Sequence, residues 1–292
     1  MNDGALRALA ERLAEDVCRS YRLGREEAAE KILVLWRADR AFCAALAASD
    51  PEKFTRTRIY KDAATKARKA IYFGLRRYRA DDGALAAACA ELAALPKDGD
   101  ATPLLATIAA HHASTAERAA HLDEFWNEIL PAIGEARSLI DIGSGVLPVL
   151  FPFARAPSLQ TYLACDRDGA AIRAVEAYAD WRGDGRLETR KWDLKDGWGA
   201  FDGPFDIALM LKIVPVVTRQ EPTLLDILAR VPARRVILTG SKEALVKRRA
   251  IARREKNVIE SFVRDAGFAV IRAFETPDEI GIVAEARGEA RL

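Results

Sequence analysis

The sequence SLIDIGSG at residues 138–145 joins a short apolar run to two closely spaced glycines. The apolar run has the length and composition of a buried strand in a parallel sheet. Glycines directly after such a strand let the backbone approach a ligand closely, and the start of the next helix offers amides without helical partners. This stretch therefore predicts a binding loop at the carboxyl end of a central strand in an α/β sheet.

Further runs of strand length follow in the second half of the chain. Three of them are apolar and bounded by glycine, proline or charged residues: Thr161–Asp166, Phe205–Leu211 and Arg234–Gly240. Asp168–Trp181 and Pro222–Arg230 have helical patterns and fit between these strands. Near the C-terminus, FAVIRAF and EIGIVAEA have the pattern of a closing hairpin. This order predicts a doubly wound α/β sheet with an antiparallel end.

The residues around the glycine loop indicate which cofactor it binds. The second strand ends in Asp166, and a carboxylate there can accept hydrogen bonds from both hydroxyls of a ribose. The third glycine of a dinucleotide-binding loop is missing, because Val146–Pro148 follows the second glycine. Asp141, just before the glycines, suits a cofactor with an α-ammonium group. We therefore favour S-adenosylmethionine (SAM) over NAD, with Asp193 placed to meet the adenine amine or, equally, to be a solvated loop carboxylate.

The first part of the chain is rich in alanine, leucine, arginine and glutamate, with helical spacing and no strand pattern. Arg25–Arg40 places Ala29, Ile32, Leu33 and Trp36 on one helix face. The same texture continues to about residue 110. It predicts an all-helical N-terminal domain.

Two more helices are predicted over Thr57–Arg79 and Gly83–Leu95. Pro96–Asp100 then has the composition of a turn or linker. We predict a helical N-terminal domain over residues 1–105. A Rossmann-like domain would occupy residues 106–292.

The predicted Thr57–Arg79 helix is strongly basic. Residues 53–79 contain ten lysines or arginines and one acidic residue, Asp62. Its expected apolar face consists of Ile59, Ala63, Ala67, Ala70 and Tyr78. The opposite face is cationic and carries an aromatic ring: Lys61, Arg68, Tyr72, Arg76 and Arg79. Such a face suits a phosphate backbone with an accessible base, and the alternative is a solvated basic helix.

A second basic stretch runs from Lys242 to Lys256. Its cationic residues include Lys247, Arg248, Arg249, Arg253 and Arg254. Because it follows a strand end, its start is expected on the same rim as the cofactor. Two basic surfaces beside one cofactor pocket favour folded RNA, bound through its shape and phosphates, as the substrate.

Composition excludes several other classes of protein. The chain has 292 residues and a net charge of +2, so a polyanionic partner is indicated only by the local clusters. No apolar run approaches the roughly 20 residues of a membrane helix, and the charged N-terminus lacks a secretory core. We expect a cytoplasmic protein without membrane contact. Its four cysteines lack metal-ligand spacing, so we predict reduced, buried thiols and no metal site.

With these elements placed, the chain resembles the aminoglycoside-resistance 16S rRNA (guanine-N7) methyltransferases over about residues 110–220. His112–Arg118 is similar to that family's HASTxER segment, and Asp141–Pro148 to its DIACGLNP loop. Cys165-Asp166 matches its CD dipeptide. Leu211–Pro215 with Arg219–Glu221 resembles its FKLLP…REQ stretch. The sequence departs from the family where Ser144 and Leu147 replace Cys and Asn, and over Thr239–Leu245, which replaces a PxRSL-like segment expected to face the target base.

The resemblance implies a class I SAM-dependent methyltransferase with a Rossmann-like, seven-stranded sheet. It further implies a monomer that methylates guanine N7 of 16S rRNA in the decoding region of the 30S subunit, with possible aminoglycoside resistance. Arg118 would hold the SAM carboxylate, Asp166 the ribose, and Lys212 would lie beside the methyl-transfer site as the catalytic residue. The full set of implied cofactor contacts is Ser114, Arg118, Asp141, Gly143, Gly145, Asp166, Asp193, Leu194 and Lys212. The resemblance also implies that the helical domain over residues 1–105 docks on RNA or the ribosome. The RNA contacts predicted from the two basic stretches are Lys61, Arg68, Arg76, Arg79, Lys247 and Arg248.

Other interpretations of these residues stay open. Arg118 is also compatible with a helix-surface ion pair, and Lys212 with cover for the sheet edge. The substrate could be tRNA or another rRNA base, and the sequence has no NPPY-type or cytosine-C5 nucleophile motif. A SAM-binding RNA adaptor without turnover, or a small-molecule methyltransferase with a helical lid, has the same fold. Three tryptophans, Trp126, Trp192 and Trp198, are able to stack on a base, although packing is the commoner role.

Overall fold

The alanine- and leucine-rich N-terminal sequence folds into helices whose apolar faces meet in a core of their own. The computed structural model describes residues 3–20, 24–75, 82–243 and 251–286. Their contacts divide the chain into two units, one of Met1–Arg77 with Glu243–Ala250 and one of Tyr78–Lys242 with Ile251–Leu292. The described helices of the first unit are α1 (Asp3–Ser20), α2 (Arg25–Ala38), α3 (Arg40–Ala47), α4 (Pro51–Phe54) and α5 (Arg58–Leu75).

The core of the first unit forms around α2. Its predicted apolar face, consisting of Ala29, Ile32, Leu33 and Trp36, is buried, which confirms the prediction. The Trp36 ring stacks on Phe42 at 4.8 Å between ring centroids, and its indole N–H donates to a carbonyl of α5 at 3.4 Å. Aromatic packing of this kind joins the helices of the unit more firmly than alanine contacts alone.

The apolar face predicted for α5 is partly wrong. Ile59 and Ala70 are exposed, and Tyr78 lies outside the described residues. The buried stripe is instead Ala63, Ala64, Ala67 and Ile71. It is rotated because Ile71, four residues after Ala67, buries more apolar area than Ala70 would. The rotation brings Arg68 toward α1.

The second unit contains the sheet and the helices that cover it. Its elements are α6 (Asp82–Ala94), α7 (Thr102–Ala110), α8 (Ala113–Arg118), α9 (Leu122–Ile133), β1 (Ser138–Ile142), β2 (Thr161–Asp166), α10 (Gly169–Arg182), β3 (Leu187–Lys191), β4 (Phe205–Leu211), α11 (Ile213–Gln220), α12 (Leu225–Leu228), β5 (Ala233–Ser241), α13 (Ala252–Asp265), β6 (Phe268–Glu275) and β7 (Glu279–Ala286). The sheet order is β3-β2-β1-β4-β5-β7-β6. Strands β1 to β5 are parallel, whereas β7 runs antiparallel to β5 and β6. The doubly wound sheet and its closing hairpin are therefore confirmed.

Strand order also explains where a ligand can bind. The chain turns from β1 to β2 on one side and later reaches β4 on the other, so the order reverses at β1. Crevices form beyond the carboxyl ends of the strands at such a switch point. The glycine loop after β1 lies at this crevice.

Several local details differ from the sequence predictions. Of the cysteines predicted to be buried, Cys165 is buried, whereas Cys18, Cys43 and Cys89 are half-buried. The predicted helix over Pro222–Arg230 is a single 3₁₀ turn followed by α12, which is four residues long. β3 has the polar sequence LETRK, which gives no strand pattern because it is an edge strand with one partner. The predicted helix Asp168–Trp181 is confirmed as α10, with the Asp168 side chain capping its first turn.

The N-terminal segment of the first unit, Met1–Arg77, is shorter than the domain predicted over residues 1–105. Helices α6 and α7 pack within the second unit, where α6 lies on α10. The predicted linker is held there too, because Lys97 donates to the Asp180 carbonyl at 2.6 Å and also to that of Trp181. The Trp181 indole N–H in turn donates to the Pro96 carbonyl at 3.4 Å. Within the described ranges, no helix combines the length and apolar character needed to cross a membrane.

Candidate cofactor site

The glycine loop is held against the end of β2 by its own backbone amides. Gly143 and Gly145 have left-handed φ angles of 70° and 53°. The amides of Gly143 and Ser144 donate to the Cys165 carbonyl at 2.8 and 3.1 Å. The Gly145 amide donates to Asp166 Oδ2 at 2.8 Å. The loop therefore has one defined conformation, which side chains with a Cβ atom would strain.

Asp166 organises this corner of the site. Its Oδ2 accepts from the Gly145 amide, and its Oδ1 accepts from the Asp168 amide at 2.8 Å. Each carboxylate oxygen has a second lone pair, so the group retains acceptor capacity toward a ligand hydroxyl. Strand β3 reaches the same corner, since the Trp192 amide donates to the Asp166 carbonyl at 2.9 Å.

Asp141 is a buried carboxyl group at the end of β1 with one unsatisfied oxygen. Its residue is 1% exposed, and the Tyr162 hydroxyl donates to Oδ2 at 2.7 Å. Oδ1 has no hydrogen-bond partner among the described residues. Burial raises the pKa of Asp141 to about 7, against the lowering effects of the Tyr162 hydrogen bond and the Arg118 charge. Leaving a buried acceptor unpaired is costly, so this oxygen is suited to a donor from a ligand.

Arg118 forms a buried ion pair with Glu279, the first residue of β7. Its Nε and Nη2 donate to the two carboxylate oxygens of Glu279, at 2.6 and 3.2 Å. The guanidinium lies 4.9 Å from the centre of the Phe125 ring, and Nη1 makes only a 3.5 Å contact with the Ser114 carbonyl. The helix-surface ion pair considered for Arg118 is therefore wrong, because the pair is buried. Nη1 is the part of the guanidinium with the most capacity left for a ligand.

Lys212 lies in the same cluster, in a strained backbone conformation. It has a φ of 63°, and it is the sole non-glycine residue with positive φ in the part of the chain that the structure describes. Its Nζ is 2.9 Å from Glu117 Oε2 and 3.2 Å from Glu279 Oε1. A left-handed lysine costs on the order of 1 kcal/mol, which the surrounding contacts must offset. Strain of this kind is typical of functional sites, so it favours the prediction that Lys212 belongs to the site over the alternative that it covers the sheet edge.

Glu279 links the two cations and was not found by the sequence analysis. It is the first residue of β7, where a charged residue usually marks an exposed strand end, yet it is 0% exposed. Burial alone would raise its pKa, but the charges of Arg118 and Lys212, with hydrogen bonds from Arg118 and Thr239, lower it to about 2. Glu279 is therefore ionised at neutral pH.

Three other predicted contacts lie nearby. Ser114 Oγ is 3.0 Å from His112 Nδ1. The side chain of Asp193 accepts from the Lys195 amide at 3.0 Å and so caps the 3₁₀ turn that begins at Leu194, which is buried. Asp193 is thus a capping carboxylate rather than a freely solvated one. This turn directly follows the segment bonded to Asp166.

The tryptophans mainly pack. Trp126 is 2% exposed and lies edge-on to Phe125 and Phe151 in the core. Trp192 and Trp198 lie 4.8 Å apart between ring centroids, and each indole N–H donates to a backbone carbonyl, at 3.0 and 2.7 Å. Core packing is therefore the role that Trp126 has here.

The predicted RNA contacts lie partly on α5. Lys61 is exposed, and the exposed surface of this helix also carries Lys66 and Lys69. Arg68 is half-buried and 3.6 Å from a carboxylate oxygen of Asp16. The other four predicted RNA contacts, Arg76, Arg79, Lys247 and Arg248, lie outside the described residues.

The sheet order with its antiparallel β7, together with a glycine loop after β1 and an acidic residue after β2, defines the fold of the class I SAM-dependent methyltransferases. The model of the family described as ribosomal RNA methyltransferase (FmrO) matches residues 37–280. The chain therefore belongs to this family.

Individual relatives agree with that assignment. A 16S rRNA (guanine(1405)-N(7))-methyltransferase from Micromonospora rosea is 32% identical over 110 residues, which cover 38% of this chain and 39% of the relative. The match thus spans about two fifths of that curated relative's length. The structure of the 16S rRNA methyltransferase RmtF in complex with S-adenosyl-L-homocysteine has a TM-score of 0.60 at 23% identity, covering 89% of this chain and 91% of that one. The 16S rRNA methylase RmtB has a TM-score of 0.55 at 17% identity, covering 89% and 91%.

Proposed function

We propose that this protein transfers a methyl group from SAM to N7 of a guanine in 16S rRNA of the 30S subunit. The observation that carries the proposal is the match of the family model to residues 37–280. This range includes every predicted cofactor contact, from Ser114 to Lys212. The curated Micromonospora relative has this activity in its name. We further propose that the protein acts as a monomer in the cytoplasm and that methylation of the decoding region reduces aminoglycoside binding.

The residues of the site fit SAM. The unsatisfied Oδ1 of Asp141 is suited to the α-ammonium group, and Nη1 of Arg118 to the carboxylate. Asp166 retains acceptor capacity for ribose hydroxyls, while Asp193 and Leu194 would border the adenine. Ser114 and the backbone of Gly143–Gly145 would complete the amino-acid end. When bound, SAM supplies an electrophilic methyl group on a sulfonium centre.

Guanine N7 has a lone pair and no proton, so the protein needs no general base for this reaction. Its residues instead have to hold the base in line and exclude water. A guanine in a stack would first have to be turned out of it. Lys212, as the proposed catalytic residue, offers donors that suit the O6 acceptor beside N7.

The charges around Lys212 favour this chemistry. Arg118 and Lys212 supply two positive charges, which Glu117 and Glu279 balance with two negative charges. A balanced cluster does not repel the cationic sulfonium, nor the positive charge that N7 acquires during transfer. An unbalanced lysine in the same place would repel both.

The pH dependence of cofactor binding follows from Asp141. Asp141 has a pKa of about 7 in the free protein, set by its burial and by the neighbouring groups of Tyr162, Arg118 and Asp166. To bind an ammonium group, the carboxyl group must therefore lose its proton. We expect the affinity for S-adenosylhomocysteine to be constant above about pH 8 and to fall by up to about tenfold per unit below about pH 7. Calorimetric titration across this range measures it. Asp141→Asn is the control, because it should bind more weakly and without this pH dependence; an unchanged slope in that variant would contradict the assignment.

The effect of Asp141 on stability has the opposite sign. The folded-state pKa is raised above the ordinary aspartate value of 3.8, so the unfolded chain loses its proton first as pH rises. In the absence of ligand this group therefore destabilises the fold progressively between about pH 4 and pH 7. A buried carboxyl group that destabilises the free protein in this way, and that has an unpaired oxygen, supports a role for Asp141 in binding.

The exposed lysines of α5 provide a test of RNA docking. Replacing Lys61, Lys66 and Lys69 together by alanine should weaken binding to 30S subunits and reduce the slope of log K against log salt by up to about three. Binding of S-adenosylhomocysteine should not change. The control replaces Arg230, Arg234 and Arg264 by alanine. These residues are exposed on the second unit, and their replacement removes the same amount of positive charge. Equal losses in both variants would mean that net charge, not α5, governs docking.

The activity itself is tested by methyl transfer from radiolabelled SAM to 30S subunits, with 50S subunits, naked rRNA and tRNA as parallel substrates. We expect labelling of 30S subunits alone, at a guanine N7 in the decoding region. Labelling of tRNA or another rRNA base would keep the enzyme class and reject the 16S substrate. SAM binding without labelling of any RNA would favour an adaptor or a small-molecule methyltransferase.

A further inference from the structure

The imidazole of His112 lies directly on the glycine loop. A Cβ atom placed on Gly145 would be 2.5 Å from His112 Cε1 and 2.8 Å from both ring nitrogens. No real side chain tolerates such distances, so the ring occupies the space that any larger residue at position 145 would need. His112 is 8% exposed, and the contact is therefore part of the packed interior of the site.

His112 is also the residue from which α8 begins. Its carbonyl accepts from the amides of Thr115 and Ala116 at 3.0 and 2.9 Å, and Ser114 Oγ lies 3.0 Å from its Nδ1. Helix α8 carries Arg118 at its other end. One side chain thus connects the helix that presents the guanidinium to the loop that presents backbone amides.

We propose that His112 is a positioning residue for the amino-acid end of SAM, an inference that rests on the proposed function. The imidazole sets the distance between α8 and the glycine loop through its contact with Gly145. Arg118 and Asp141 are then held on opposite sides of the same ligand group. His112 acts through these residues and does not touch the reacting atoms.

The contact gives Gly145 a second reason to be glycine. Its φ of 53° already disfavours other residues, and the imidazole excludes a side chain independently. In a dinucleotide-binding loop, the second glycine leaves room for a pyrophosphate. Here the ring fills the space beside that glycine, which favours SAM over NAD.

Two single variants and their combination test this inference. His112→Ala should weaken binding of S-adenosylhomocysteine about tenfold, since α8 loses its support on the loop. Gly145→Ala should weaken it by about a hundredfold or more, through the clash and the left-handed φ. The double variant lacks the clash, because the imidazole is absent. It should therefore bind S-adenosylhomocysteine at least about tenfold more tightly than Gly145→Ala does. Independent, additive losses would overturn the proposal.

Further measurements separate positioning from general stability. At saturating SAM, His112→Ala should keep kcat within about twofold while KM for SAM rises; a fall in kcat with unchanged KM would overturn the proposal. His112→Phe keeps a ring on Gly145 and should bind within about threefold of the parent even if the alanine variant folds poorly. If His112→Phe folds normally but binds as weakly as His112→Ala, the role of the ring is overturned. The control is His111→Ala, at the adjacent position. In the parent, the His111 ring contacts the Thr107 carbonyl at 2.6 Å, whereas the His112 ring contacts Gly145.

The outcome also distinguishes this inference from the proposed function. If the parent protein does not bind S-adenosylhomocysteine, the proposed function fails. If the parent binds it and His112→Ala binds equally well, only the positioning role fails.

Discussion

Replacing Asp166 by alanine is expected to weaken SAM binding by at least about a hundredfold while leaving RNA binding close to that of the parent. The loss has two physical sources. Asp166 would provide the acceptors for the ribose hydroxyls, and it already holds the Gly145 and Asp168 amides at 2.8 Å each. Without it, the Gly145 and Asp168 amides lose their partner, while the amides of Gly143 and Ser144 still hold the loop on the Cys165 carbonyl.

Calorimetry with S-adenosylhomocysteine measures the Asp166 effect, and filter binding to 30S subunits measures docking. Asp166→Asn keeps one acceptor oxygen, so its affinity for S-adenosylhomocysteine should lie between those of Asp166→Ala and the parent. Asp265→Ala is a matched control, because this exposed aspartate pairs only with the neighbouring Arg264 among the contacts described. Parental cofactor affinity in Asp166→Ala would remove this carboxylate from the site.

The second large effect is expected from Glu279→Gln, which should lower methyl transfer by about a hundredfold or more and lower the free energy of unfolding by about 3 kcal/mol. The buried carboxylate holds Arg118 at 2.6 Å and Lys212 at 3.2 Å. Glutamine keeps the volume but not the charge, so two buried cations would be left with Glu117 as their remaining anion in this cluster. Arg118 and Lys212 would then separate.

The sign of the pH effect gives an independent measurement for Glu279. Its folded-state pKa of about 2 lies below the ordinary glutamate value of 4.5, so the ionised group stabilises the fold above about pH 4.5. That contribution should be lost as pH falls from about 4.5 toward 2. Denaturant titrations of the parent should show the decline, and those of Glu279→Gln should show less of it. Equal pH slopes would mean that Glu279 is not ionised in the folded protein.

Glu275→Gln is the matched control for Glu279→Gln. Glu275 lies in the same hairpin and pairs with Lys242 at 2.9 Å, but its side chain is 67% exposed. Exposed pairs contribute little to stability, so this variant should unfold and methylate like the parent.

The central part of the site was predictable from sequence because its signals are local. An apolar run followed by glycines specifies a buried strand and a loop within eight residues, and the strand ending in Asp166 follows the same rule. The hairpin pattern near the C-terminus similarly predicted β6 and β7. In each case the spacing of neighbouring residues determines both the element and its side-chain direction.

Other features depended on which elements meet. The buried stripe on α5 was predicted with the wrong rotation, because alanines occur on both sides of that helix and only packing selects the face. The extent of the second unit was set by α6 lying on α10, which no local pattern reports.

By itself, therefore, the sequence determined the class of fold, the glycine loop and the acidic residue beside it. The tertiary structure decided that Arg118 and Glu279, 161 residues apart, form one buried ion pair, and that Lys212 joins them. Strand periodicity assigns Glu279 to the start of a strand but says nothing of its neighbours. Its partners are known only once β7 is inserted beside β5, which places Glu279 near the end of β4, where Lys212 follows. Arg118 reaches the same place from α8, which is outside the sheet.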